Sequence, residues 1–141
     1  MALKEETLAE YTILNIRSPP SVDYEKDLEW ICRSLGFLGS RDKERTAYSI
    51  FRTLLEAASQ SKGLSSDELA QRIGLTRGTM VHHLNKLIKS GLLIHHEGQY
   101  KLRGRSLVNT IEEVQRDMNR VFENLAGIAR TVDQALGLFF R

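Results

Sequence analysis

Residues 64–93 read LSSDELAQRIGLTRGTMVHHLNKLIKSGLL, and the way they fold decides how the rest of the chain is read. Ser65 or Ser66 caps a helix with an acid in its first turn, and Leu69, Ala70 and Ile73 fall on one face. Gly74 is the stop, because a residue without a Cβ takes the left-handed conformation at least cost. Two positions later Thr76 offers a fresh cap, and Met80, Leu84, Leu87 and Ile88 give the next helix an apolar face. Two short helices joined by a tight glycine turn predict a helix-turn-helix, with Ala70 small where the helices approach. The following stretch, GLLIHHEGQYKLRG, alternates and turns. Leu92 to His95 reads as a strand, Glu97-Gly98 as the bend and Gln99 to Leu102 as the return. A hairpin placed directly after the second helix has the position of a wing.

Outward from this centre the patterns stay helical. From about Lys43 to Gln60, Ala47, Ile50, Phe51, Leu54 and Ala58 recur at helical spacing until SKG breaks the run. Before it, SVDYEKDLEWICRSLGFLGS predicts a helix with Ser21 as cap, Tyr24, Leu28, Ile31 and Leu35 on one face, and Gly36 as its end. Tyr11 to Ile16 looks extended and stops at Pro19-Pro20, which cannot continue a ladder.

The last third is different. From Ser106, a predicted N-cap, to about Leu138 there is no proline. Leu107, Ile111, Val114, Met118, Val121, Leu125, Ile128, Val132, Ala135 and Phe139 follow one another in steps of four and three. Such a helix spans roughly 50 Å at 1.5 Å per residue, about twice what the preceding domain can cover. Its apolar stripe therefore calls for a second chain. The two core series do not follow the β-branched-then-leucine rule of a parallel two-stranded coil. Val108, Phe122, Ala129 and Leu136 widen the stripe, which suits a bundle in which the helix at 22–36 covers the spare face. The expected homodimer interface comprises Tyr24, Leu28, Ile31, Leu35, Leu107, Ile111, Val114, Met118, Val121, Phe122, Leu125, Ile128 and Val132. The predicted fold is mainly α with a small β-hairpin wing. Residues 1–42 form an N-terminal strand-like segment and helix packing on the dimer bundle, 43–105 a winged helix-turn-helix, and 106–141 a long C-terminal dimerisation helix.

Composition limits the function classes. The 141 residues are 41% hydrophobic and 27% charged, a globular balance, and no apolar run approaches the roughly 20 residues that span a bilayer. The opening MALKEETLAE is too acidic for a secretory signal, and a lone Cys32 precludes an internal disulfide, so a reducing cytoplasm is expected. The net charge is only +2, but it is unevenly spread. Residues 1–30 hold three basic and seven acidic side chains. Residues 74–105 hold Arg77, Lys86, Lys89, Lys101, Arg103 and Arg105 against Glu97 alone, the footprint expected for a polyanion partner.

The run LSSDELAQRIGLTRGTMVHHLNKLIKSGLL…YKL resembles winged helix-turn-helix transcription regulators of the ArsR and MarR type, small archaeal ones in particular, over residues 45–103. The resemblance implies double-stranded DNA as the partner, the second motif helix in the major groove, and a wing touching the backbone or minor groove. The residues agree with that expectation. Arg77, Gly78, Val81 and His82 project opposite Met80 and Leu84, so that Arg77 can pair with guanine and Val81 can pack on a thymine methyl. Thr76, Thr79, Asn85, Lys86 and Lys89 suit phosphates, Lys101 and Arg103 belong to the wing, and Ser66 at the start of the first motif helix joins the set.

Metal and enzyme readings fare poorly. His82 and His83 point about 100° apart on a helix, and His95 and His96 alternate across a strand, so neither pair chelates readily. The HHL run recurs in the resembled family, where the histidines serve DNA contact and packing between motif helices. The cysteine pairs or carboxylate-histidine sets of metal-sensing ArsR-type proteins have no counterpart. No nucleophile elbow or phosphate loop is present, and Cys32 fits an apolar helical face. The expectation is a non-enzymatic regulator without metal or cofactor. Two alternatives stand beside it: a winged-helix protein-interaction module of the transcription machinery, and a metal- or ligand-responsive repressor.

Overall fold

In the computed structural model, which describes residues 5–19, 23–38 and 45–138, helix-forming patterns become helices almost where the sequence places them. The order is α1 (Tyr24–Ser34), α2 (Thr46–Ala58), α3 (Ser66–Ile73), α4 (Arg77–Lys89), β1 (Leu93–His96), β2 (Gln99–Leu102) and α5 (Leu107–Leu136). This is a winged helix-turn-helix followed by one long helix.

Local chemistry fixes the motif. Ser65 Oγ accepts from the Glu68 amide at 3.1 Å while the Glu68 carboxylate accepts from the Ser65 amide at 3.2 Å, a complete capping box. Gly74 ends α3 at φ +83°, and its N–H donates to the Ala70 carbonyl at 2.8 Å. Thr76 opens α4, its hydroxyl accepting from the Thr79 amide at 3.2 Å. In the hairpin, Leu93 pairs with Leu102 and His96 with Gln99, and Glu97 and Gly98 both take positive φ, the twist that a two-residue turn requires. Leu64 and Tyr100 exchange backbone hydrogen bonds at 2.7 and 3.0 Å, which ties the entry of α3 to the wing.

The core gathers Ile50, Phe51 and Leu54 of α2, Leu69 of α3, Met80, Leu84 and Leu87 of α4, and Leu92, Leu93, Tyr100 and Leu102 of the wing. α1 adds Leu28 and Cys32, and burial pushes the Cys32 thiol up to about 12. Its cap is Asp23, whose carboxylate accepts from the Glu25 amide at 2.9 Å; Ser21, the expected cap, lies outside the described residues.

Three features differ from the simplest reading of the sequence. First, within this chain α1 lies against α2, and its place in a dimer bundle is a matter between two chains. Leu28 is only 3% exposed inside the chain's own core, Ile31 and Leu35 are partly covered, and Arg52 and Arg45 of the α2 region pair with Glu25 and Glu29. Tyr24 stays exposed, with the Arg52 guanidinium 5.7 Å from its ring centroid. Second, residues 5–19 make no strand. The segment crosses as a strap, Glu10 N–H donating to Lys89 O at 3.0 Å, Leu14 N–H to Ser34 O at 2.7 Å, and Trp30 Nε1 to Ile16 O at 3.2 Å. Its backbone N–H groups reach the last carbonyls of α4 and α1, single acceptors and not a ladder. Third, Val114 of α5 is 4% exposed in the domain core, with Leu107 and Met118 packed partly against it, so the first three turns of α5 serve this chain itself.

Beyond those turns α5 leaves the body. Val121, Phe122, Leu125, Ile128, Val132 and Leu136 are all exposed, along with Val108 and Ile111 on the near half. The helix is about 45 Å long and stops at Gly137 with φ +70°; Phe139, the last heptad position, lies outside the described residues.

Candidate nucleic-acid interface

α4 turns Met80, Leu84 and Leu87 inward, which leaves Arg77, Gly78, Thr79, His82, Asn85, Lys86 and Lys89 exposed and Val81 half-buried. No acid stands on this helix. Arg77 is nearest Asp67, 3.7 Å away with both side chains about three-quarters exposed, a solvent-screened pair that a phosphate or base edge can displace. At Gly78 an added Cβ would meet nothing within 4 Å among the described residues, so none of them demands glycine there. A glycine inside a helix costs about 1 kcal/mol relative to alanine. Thr76 is occupied as a cap and donates to Thr79 Oγ1 at 2.9 Å, leaving the Thr79 hydroxyl proton for an outside acceptor. Ser66, half-buried, begins α3.

The histidines take separate directions. His82 is exposed and His83 half-buried, their rings 5.7 Å apart edge to face. His95 stacks flat on Tyr100 with centroids 4.0 Å apart. Among the described residues no group of three metal-ligating side chains comes together.

The wing divides in two. Lys101 is exposed on β2, and Arg105 follows it, also exposed. Arg103, expected to face DNA, is the correction. Its guanidinium grips Asp117 of α5, Nη2 donating to Oδ1 at 3.1 Å and Nη1 bonding Oδ2, and lies 3.6 Å from Glu113. Tyr11 of the strap donates to Asp117 Oδ2 at 3.0 Å, and Arg120 pairs with the same carboxylate. The Arg103 hydrogen bonds hold the Asp117 carboxyl below the usual aspartate range against the opposing effect of burial, while Arg103 and Tyr11 are both raised. Burial is the larger cause for Tyr11, its bond to Asp117 the next. This cluster locks the wing base, α5 and the strap together. One signal in the sequence points to it: Asp117 is an acid inside the apolar stripe, between Val114 and Val121.

No described helix is long and apolar enough to cross a membrane. No curated protein and no solved structure matches the chain. Residues 44–96, a run that takes in α2, α3, α4 and β1, match a family model described as a helix-turn-helix domain. The comparison and the geometry meet on one segment, and with its hairpin that segment is a winged helix-turn-helix.

Proposed function

We propose that this protein is a dimeric, sequence-specific, double-stranded DNA-binding transcription regulator of the ArsR or MarR type, working in the cytoplasm. The observation that carries the reading is the uncovered face of α4, acid-free from Arg77 to Lys89 and open at Gly78. A helix of this kind fits the major groove with its N-terminal residues at base edges. Arg77, Val81 and His82 then read sequence, and Gly78 lets the backbone approach closely. Thr79, Asn85, Lys86 and Lys89 contact phosphates, and most of the affinity comes from the counterions they release. Lys101 and Arg105 carry the wing contacts to backbone or minor groove, while Arg103 supports the wing from behind. The exposed half of α5 joins two such domains.

Selection of bound sequences from random duplex DNA tests this directly. A recovered motif made of two related half-sites is expected; recovery of unbiased sequences, or no retention at low salt, overturns it. Half-site centres about 10 bp apart, or a multiple of that, would match a two-fold dimer.

A further inference from the structure

The exposed half of α5 holds more information than the need for a partner. Val121, Phe122, Leu125, Ile128, Val132 and Leu136 lie exposed at helical spacing, with Ile128 70% exposed, and Leu138 is exposed just past the helix end. At on the order of 100 Å² each, they present roughly 700 Å² of apolar surface, more than monomers usually leave in water and close to one side of a standard interface. Where this face meets the body, a groove of about 1040 Å³ opens between the strap and α5, lined by Leu8, Tyr11, Met118, Val121 and Phe122.

We infer that α5 pairs antiparallel with α5 of a second copy, in the register that sets Val121 against Val132 of the partner subunit and Leu125 against Ile128 of the partner subunit. The inference rests on the dimer reading above and adds its direction and register. Three observations favour it. The seam residues form two series, Met118, Leu125, Val132 and Val121, Ile128, Ala135. Antiparallel pairing joins one series to the other, giving Met–Ala, Val–Val and Leu–Ile layers that differ less in size. Parallel pairing joins each residue to its own copy and runs from Met–Met to Ala–Ala, with leucine and β-branched positions reversed from the two-stranded preference.

The flanks decide the same way. A two-fold axis across antiparallel helices brings like flanks together, so Phe122 lies beside the small Ala129 of the partner subunit. In the parallel arrangement Phe122 would flank Asp117 of the partner subunit, a carboxylate that Arg103, Arg120 and Tyr11 of its own chain already engage. The groove gives the third argument. In the antiparallel register Leu136 of the partner subunit arrives level with Met118, so the partner's last turn reaches the strap groove and covers Leu8 and Phe122. A parallel partner would end at the far tip and leave that groove open.

The test is a disulfide map. Cys32 is buried and its thiol poised at about 12, so cysteines introduced on α5 are the reactive ones. Val121→Cys/Val132→Cys should form an intermolecular disulfide under mild oxidation, while Val121→Cys or Val132→Cys alone should not. Ready cross-linking of the single variants indicates parallel pairing and overturns the proposal. Spin labels on the outer face provide a second measurement that leaves the seam intact. Antiparallel pairing makes the label-to-label offset along the axis about 30 Å at Arg116→Cys and about 10 Å at Glu123→Cys. Equal separations at the two positions overturn it. Light scattering separates the two levels: a dimer that fails the map refutes the register alone, and a monomer at micromolar concentration refutes the dimer and the register together.

Discussion

Asp117→Asn is the substitution that exposes the role of the strap, wing and α5 cluster. It keeps shape and volume but replaces the acceptor that Arg103, Arg120 and Tyr11 share with a neutral amide. The Arg103 and Asp117 side chains are 24% and 11% exposed, between a surface pair and a buried one. Exposed pairs contribute about 0–1 kcal/mol and breaking a fully buried one costs about 3–5, so a loss of about 2 kcal/mol is expected at pH 7. For a chain of this size that is about 6 °C in Tm. The pH dependence follows from the direction of the Asp117 shift. Its folded pKa is lowered, so its stabilisation is fully present above the ordinary aspartate value and is lost as pH falls through the lower folded value. In acid the wild-type carboxyl is also neutral, and the two proteins should converge. Urea unfolding at a series of pH values measures this, each midpoint read with its own slope. A variant as stable as wild type at pH 7, or a difference that persists unchanged to pH 2, would refute the reasoning.

The residues proposed to face DNA give sharper contrasts. Arg77→Ala should cost about 1–3 kcal/mol on the selected site and little on random duplex, whereas Lys86→Ala should weaken both alike and reduce the salt slope by about one; titrations at several salt concentrations distinguish the two. Lys101→Ala should likewise flatten the slope, while Arg103→Ala should lower Tm and leave the slope as it is, because Arg103 is spent on Asp117. Leu125→Asp places a carboxylate in the proposed apolar seam at a cost of several kcal/mol, so light scattering should show monomers, and affinity for a paired site should collapse while a single half-site binds as before.

How much of this was legible in the sequence depends on the range of the determinants. The motif and wing were readable because Ser65 with Glu68, Gly74, Thr76 and Glu97-Gly98 each act on neighbours no more than four residues away. α5 was readable because a heptad needs only its own spacing. The placement of α1 was not. Tyr24, Leu28, Ile31 and Leu35 announce a face to be covered without saying what covers it, and α5 offers equally suitable spacing. In the structure Leu28 and Cys32 bury in the core beside α2, and Arg45 and Arg52 reach Glu29 and Glu25, pairs 16 and 27 residues apart. Arg103 misled for a related reason. A cation after the second wing strand suits DNA on charge alone, but Asp117 fourteen residues on takes it. Tyr11 to Ile16 has strand composition but pairs with no strand among the described residues, the backbone bonds of the strap going to the last carbonyls of α1 and α4 and to the Trp30 indole.

Asp117 stands where the two halves of α5 meet, the covered turns up to Met118 and the exposed stripe beyond. Through Arg103 it holds the base of the wing, and through Tyr11 it holds the strap, whose Glu10 N–H also donates to the Lys89 carbonyl at the end of α4. In the proposed antiparallel dimer the partner's last turn arrives at this same level, on the strap groove. Subunit pairing and the DNA-facing elements would then share one cluster of side chains, and a change at the seam would have a short physical route to the wing. The route has a measurable sign. Leu125→Asp monomers should show faster amide exchange at Tyr11 and in the 99–105 stretch than the wild-type dimer does, with α3 and α4 unchanged. If exchange in the strap and wing base is the same in monomer and dimer, the cluster serves the fold of one chain only.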